Sequence, residues 1–335
     1  MARKYFSSIS NLFKSSASCI MSIPNFFRQQ FKRFTDDIKK LRYKLKNLTE
    51  SNLDLGVYHL RCRNYNDAIF RFKLVDRFLD PDNKLANYWL GWTYFMKQDY
   101  SKSIVCLTKA KEVDEIGLLS FVKSIDSATS IPSAIQSMHR DIIVDIIVDK
   151  YVTEEQNLIV ELVSEFNNQA KNLPEEYSIL ELGANIGMLG DEMHKRMQES
   201  YFLTGVEISD KMIQLQPQCF PDSKPYDDII NAPIDEFLEK EINLYDVVYS
   251  LDGFATNIDL KKIFTSVFSV LNTNGYFAFV VRTDKQNGLS AKLLEFAYNP
   301  QYVKDILQET GFVILSVNDF SLEIKNNYSI FVCTK

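Results

Sequence analysis

Ile179-Leu180-Glu181-Leu182-Gly183-Ala184-Asn185-Ile186-Gly187-Met188-Leu189-Gly190 is the stretch on which the fold turns, read together with Thr204–Ser209 just beyond it. An apolar run enters a glycine turn, and the turn opens a helix. A second short run, Phe202 to Val206, ends on Glu207. That order places an adenosine-containing cofactor at the carboxyl edge of a parallel sheet. The chain has eleven glycines in 335 residues, and Gly183, Gly187 and Gly190 fall within eight of them. Such clustering asks for close backbone approach or positive φ. The dinucleotide fingerprint G-x-G-x-x-G wants glycine where Asn185 and Met188 stand, so it fails twice.

The pattern E-x-G-x-x-x-G with an acid after the next strand resembles class I S-adenosylmethionine-dependent methyltransferases. The resemblance implies S-adenosyl-L-methionine as cofactor, with the Gly183–Gly187 turn under its amino-acid portion. It implies that Glu207 accepts hydrogen bonds from both ribose hydroxyls. A carboxylate suits a vicinal diol, offering two acceptor oxygens to two donors. The cofactor contacts expected are Glu181, Gly183, Ala184, Asn185, Gly187, Glu207, Ile208, Asn231 and Ser250, with Asn231 on the adenine edge. Asn185 stands where the family often has glycine; asparagine tolerates left-handed geometry well, so the turn survives.

The following residues extend the same fold. Tyr245–Ser250 reads as a fourth strand buried on both faces. Leu260, Ile263, Phe264, Val267, Phe268 and Leu271 carry helical spacing. After a turn at Asn272–Gly275, Tyr276–Val281 is a fifth strand, and Tyr302 to Glu309 a helix stopped by Gly311. Phe312–Val317 and Tyr328–Cys333 form a terminal antiparallel hairpin, the feature the methyltransferase fold adds to an otherwise parallel sheet. The expected fold class is α/β, a Rossmann-like methyltransferase sheet preceded by an all-α helical domain.

Residues 49–126 hold a repeat. Leu55, Gly56, Tyr65, Ala68, Ile69, Phe72 and Val75 are matched 35 residues later by Leu90, Gly91, Tyr100, Ser103, Ile104, Leu107 and Ala110. The pattern resembles tetratricopeptide repeats, pairs of antiparallel helices in which Gly56 and Gly91 mark close crossings. Pro81 comes one residue late against the usual period of 34, which implies a one-residue insertion. Together the two features resemble methyltransferases preceded by such repeats. That layout implies a methyl-transfer reaction and leaves the acceptor open, small molecule or protein.

Upstream, residues 1–50 carry eleven Lys/Arg against three acids, while the rest of the chain is acidic. Phe27, Phe31, Phe34, Ile38, Leu41, Leu45 and Leu48 step by three and four along one helical seam. Packing on the next domain, a coiled coil and an anionic membrane surface all remain open for this basic arm. The expected divisions are 1–48 basic leader and amphipathic helix, 49–126 repeats, 127–176 linker and covering helices, and 177–335 cofactor domain. Within the linker, Ile142–Val148 reads as a buried segment covering the cofactor domain.

Five scattered cysteines without C-x-x-C spacing argue for a reducing, cytoplasmic setting, with the basic arm allowing a membrane-peripheral one. The three histidines share no ligand spacing, so no metal is expected. The acidic body speaks against nucleic acid, and a protein partner through the repeats is expected instead. Methyl transfer needs alignment and exclusion of water more than covalent chemistry. Substrate-side candidates follow the strand ends: Ser250 and Asp252, then Arg282 and Thr283, and Tyr298. A non-catalytic scaffold with a degenerate cofactor fold is the alternative.

Overall fold

The computed structural model describes residues 25–151, 156–197, 200–251, 253–290, 294–322 and 326–335. The first helix, α1, runs Asn25–Arg61 without a break. The boundary expected at residue 48 therefore falls inside a helix. No glycine or proline interrupts 47–55, and Asn52 donates from Nδ2 to the Leu48 carbonyl one turn back (2.7 Å). On the seam, Phe34 and Leu48 remain half exposed. The side chains of Phe27, Phe31, Leu41 and Leu45 lie outside the described residues.

Two helix pairs follow the 35-residue spacing. The end of α1 packs on α2 (Tyr65–Leu74), and α3 (Lys84–Met96) on α4 (Tyr100–Lys109). The turns are equivalent: Arg63 and Gln98 both take positive φ. Asn64 N bonds to His59 O and Asp99 N to Tyr94 O, the same bond one repeat apart. A Cβ at Gly56 would strike the Phe72 ring, and one at Gly91 would lie 2.5 Å from Leu107. Ser103, in the place of Ala68, donates to the Gly91 carbonyl (2.8 Å). After α2 the helix widens into a π turn, Val75–Leu79. Such a turn takes up one extra residue in an α-helix. A short helix, α5 (Leu118–Lys123), closes the set, its first amides accepted by the Asp114 carboxylate.

Helix α6 (Ser133–Tyr151) then crosses to the second half, and α7 (Gln156–Gln169) leads into the sheet. The strands are β1 (Glu176–Leu182), β2 (Ser200–Glu207), β3 (Asp228–Asn231), β4 (Tyr245–Ser250) and β5 (Leu271–Thr283), then β6 (Gly288–Ser290) and β7 (Glu295–Ala297) as a separate pair. β8 (Val313–Leu322) and β9 (Asn326–Thr334) complete the main sheet. Its order is β3-β2-β1-β4-β5-β9-β8, parallel through β5 and antiparallel at β9 and β8. β4 has the bounds read from sequence, and the terminal hairpin is present. Helices α8 (Met188–Arg196), α9 (Asp210–Cys219), α10 (Ile234–Lys240), α11 (Lys261–Val270) and α12 (Pro300–Glu309) supply the crossovers and the last return.

Both faces of the sheet are covered. Ile179, Val247 and Ala278 meet α7, α8 and α9 on one side. Leu180, Val248, Phe277, Phe279 and Phe331 meet α10, α11 and α12 on the other. The Phe279 and Phe331 rings stack at 5.1 Å across β5 and β9. β1 lies between a β2–β3 wing and a β4–β5 wing, so the strand order reverses beside it. An open α/β sheet forms its ligand crevice at such a point. Among the described residues no helix is long and apolar enough to cross a membrane.

Candidate functional site

At the carboxyl end of β1 the chain turns through Gly183 (φ +88°), Asn185 (φ +53°) and Gly187 (φ +96°). Gly183 N and Ala184 N both donate to the Val206 carbonyl at 2.9 Å, which ties the turn to β2. Asn185 does adopt the left-handed geometry. Its carbonyl accepts from Gln216 Nε2 on α9 (3.0 Å).

The glycines serve two different ends. A Cβ on Gly190 would lie 2.5 Å from the Pro225 carbonyl oxygen, and one on Gly187 would lie 3.0 Å from the Pro225 ring. Gly205 on β2 makes room for the Tyr226 ring at 2.9 Å. The close approach inferred from sequence is thus made largely by the protein's own Pro225–Tyr226 segment. Gly183 instead lines an open cleft.

Tyr226 is buried, and its hydroxyl lies 3.0 Å from Glu181 Oε2 and 2.9 Å from the Ala184 carbonyl. Burial, with the Glu181 charge next, pushes the phenol well above its usual range. It therefore stays protonated and holds the buried Glu181 carboxylate against the underside of the turn.

Glu207 ends β2 with only 1% of its surface exposed. Its Oε2 accepts from Asn185 N (2.9 Å) and its Oε1 from Ser209 N (2.8 Å). The carboxylate thus points at the glycine turn. Each oxygen spends one acceptor direction on a backbone amide and keeps another. Gly183, Val206, Glu207 and Ile208 form one wall of a cleft of about 250 Å³. Ile234, Asp235 and Leu238 of α10, Gly253, Thr256 and Asn257 after β4, and Lys262 of α11 form the next.

The last wall is one that sequence reading missed in detail: Ser130 to Ser133, Gln136 and Arg140, from the segment before and within α6. This strap is tied at both ends. Ile131 N donates to Thr256 O (2.8 Å) and Ile258 N to Thr129 O (2.9 Å). Ser209 Oγ donates to Asp141 Oδ1 (2.7 Å), Lys211 pairs with Asp141 (3.4 Å), and Ser137 Oγ reaches Ile208 O (3.4 Å). The one sequence signal was Arg140-Asp141 set against the apolar run at 142–148. Next to it, burial pushes His139 down to about 3, with Arg140 and Arg63 adding to the effect.

Several expected roles change. Ser250 Oγ donates to Leu182 O (2.8 Å) and accepts from Gly253 N (3.1 Å). It stitches the ends of β1 and β4 together and is fully buried, so its hydroxyl is spent internally. Gly253 is what brings that loop close, since a Cβ there would meet the Leu182 carbonyl at 2.5 Å. Tyr298 is also fully buried, its hydroxyl 2.6 Å from Phe254 O and 2.5 Å from Asn257 O. Burial raises its pKa, so it braces the β4–α11 loop and is no proton acceptor. Asn231 Nδ2 reaches Glu207 O (3.2 Å) and Ile208 O (3.3 Å), joining β3 to β2, and the cleft wall beside it is Asp235. Arg282 and Thr283 sit at the end of β5, with the Arg282 carbonyl accepting from Tyr298 N (2.9 Å). Asp252 lies outside the described residues. No group of His, Cys, Asp and Glu that could hold a metal occurs among the described residues.

Residues 180–279 match the family model described as a methyltransferase domain. No curated protein matches the chain. Among solved structures, it is similar to the magnesium protoporphyrin IX methyltransferase of Synechocystis PCC 6803 with S-adenosylmethionine bound, at 14% identity over 54% of this chain and 79% of that one, TM-score 0.43. An S-adenosylmethionine-dependent methyltransferase from Mesorhizobium loti gives 16% identity over 56% and 100%, TM-score 0.40. One from Leishmania major gives 16% over 53% and 72%, TM-score 0.44. Over residues 180–279 the chain is similar to methyltransferase domains, and the stretch spans β1 to β5 of the sheet described above.

Proposed function

We propose that the chain is an S-adenosylmethionine-dependent methyltransferase whose cofactor lies in the cleft between the Gly183 turn and the strap. The supporting observation is Glu207. Its two carboxylate oxygens are aimed by the Asn185 and Ser209 amides, and each keeps an acceptor direction for one hydroxyl of a ribose diol. The residues present fit the group: a bare turn at Gly183, a diol acceptor at Glu207, and Ile234 and Leu238 as an apolar wall.

When bound, the cofactor supplies a methyl group made electrophilic by its sulfonium. The chain's own part is to bind, align and exclude water. Gly183 lets the backbone approach the ligand, Glu207 fixes the sugar, and Ile131 and Pro132 of the strap close the cleft from above. With Tyr298 bonded to carbonyls, the side chains that face an acceptor in this reading are Thr256 and Asn257. The acceptor is a small molecule or a protein. The helix pairs form a tetratricopeptide-like frame for a protein partner, and the π turn at Val75–Leu79 is where the extra residue of the 35-residue unit sits.

Calorimetric titration with S-adenosylmethionine tests this. Micromolar binding that Glu207→Ala abolishes supports the enzyme. Undetectable binding by the wild-type chain removes the reading in favour of a scaffold. Labelled methyl transfer into lysate fractions above and below a size cut then separates protein from metabolite acceptors.

A further inference from the structure

Arg140 lies on the strap, outside the matched stretch 180–279, and enters the cleft from the far side. Its Nε is 3.8 Å from Glu207 Oε1, with side-chain exposures of 10% and 1%. Its Nη1 lies 3.6 Å from the Met212 sulfur. A carboxylate so withdrawn from water must be compensated. The Asn185 and Ser209 amides provide dipoles, and Lys211 is paired with Asp141. The guanidinium provides the opposing charge. A ribose is neutral and cannot replace that charge, so the need persists with the cleft filled. Nor is Arg140 held by Glu207 alone. The next residue, Asp141, binds Ser209 and Lys211 and so sets the helix against the same loop.

We propose that Arg140 is the positioning residue for Glu207, keeping that carboxylate aimed at the sugar, so that the cofactor site is completed from outside the stretch 180–279. This rests on the functional reading above. Arg140 acts through Glu207, and its effect is therefore specific to ligands that carry the diol.

The test is titration with S-adenosylhomocysteine and with its 2′,3′-dideoxyribose analogue (the deoxy analogue), on the full chain and the variants R140Q, R140K, E207Q and R140Q/E207Q. R140Q should weaken S-adenosylhomocysteine binding roughly tenfold or more, because it leaves a buried carboxylate without its opposing charge. R140K, keeping the charge, should recover part of the loss. The double variant should bind no worse than E207Q, and the deoxy analogue should bind wild type and R140Q alike. Unchanged or tighter binding by R140Q overturns the proposal, as do losses that multiply fully in the double variant. If R140Q does not fold, R140K decides. A deficit on the ribose ligand that vanishes on the deoxy analogue supports the proposal, and equal effects on both overturn it. Failure of the wild-type chain to bind S-adenosylhomocysteine overturns the functional reading itself, a result distinct from all of these.

Discussion

Gly56 and Gly91 of the helical half and Gly190 of the sheet half make room for different things. Gly56 and Gly91 admit side chains, Phe72 and Leu107, each sixteen residues further on. Gly187 and Gly190 admit Pro225, and for Gly190 the contact is with backbone. A flexible side chain can rotate away from an intruding methyl, whereas a backbone carbonyl fixed between elements cannot. Gly56 and Gly91 are therefore less strict than Gly190, although all three signal themselves by the same residue.

The largest effect should come from Gly190→Ala. Its new methyl meets a carbonyl oxygen at 2.5 Å, and a loss of about 3 kcal/mol or more is expected. Gly91→Ala should cost only about 1 kcal/mol, because alanine's helix preference offsets part of the crowding. The chain's two tryptophans, Trp89 and Trp92, both lie on α3. Tryptophan fluorescence during urea unfolding thus reports the helical half, and cofactor titration the sheet half. Equal losses by both variants on the fluorescence probe would break the contrast.

A middle-sized effect concerns pH at the strap, where the halves meet. His139 is held down to about 3 from an ordinary 6.5, so it is neutral when folded. The unfolded chain binds a proton there first. Stability contributed by the neutral imidazole is present above about pH 6.5 and is lost as pH falls toward 3. His139→Gln should flatten that limb of a pH series of thermal melts, and an unaltered limb would place the acid sensitivity elsewhere. A small effect, on the scale of Gly91→Ala, should come from Asp114→Ala. It strips the acceptors from the Leu118 and Leu119 amides and costs about 1 kcal/mol, read by the same fluorescence.

What could be read from sequence follows the same division between local and distant contacts. β4 was legible from end to end because a strand buried on both faces is mostly apolar, with Val247, Val248 and Tyr249 in a row. The repeat was legible because its partners recur at one spacing. The fusion of the basic arm with the first repeat was not, since nothing local marks 48 as either a stop or a continuation. At the cleft, the direction of Glu207 was legible because its place at the end of β2 fixes where it points. Ser250 and Tyr298 could not be judged, because a hydroxyl near a strand end looks the same whether it faces a cleft or a carbonyl. Arg140 comes from 67 residues before its partner, on a helix with no repeat to announce it.

The insertion of β9 between β5 and β8 has a consequence for how the molecule is made. Chain synthesis delivers β1 to β5 first, yet the row of amides and carbonyls along β5 stays bare until residues 326–334 leave the ribosome. A nascent sheet of this kind waits with an open, phenylalanine-rich border, a template for mispairing that the arriving strand must reach before another chain does.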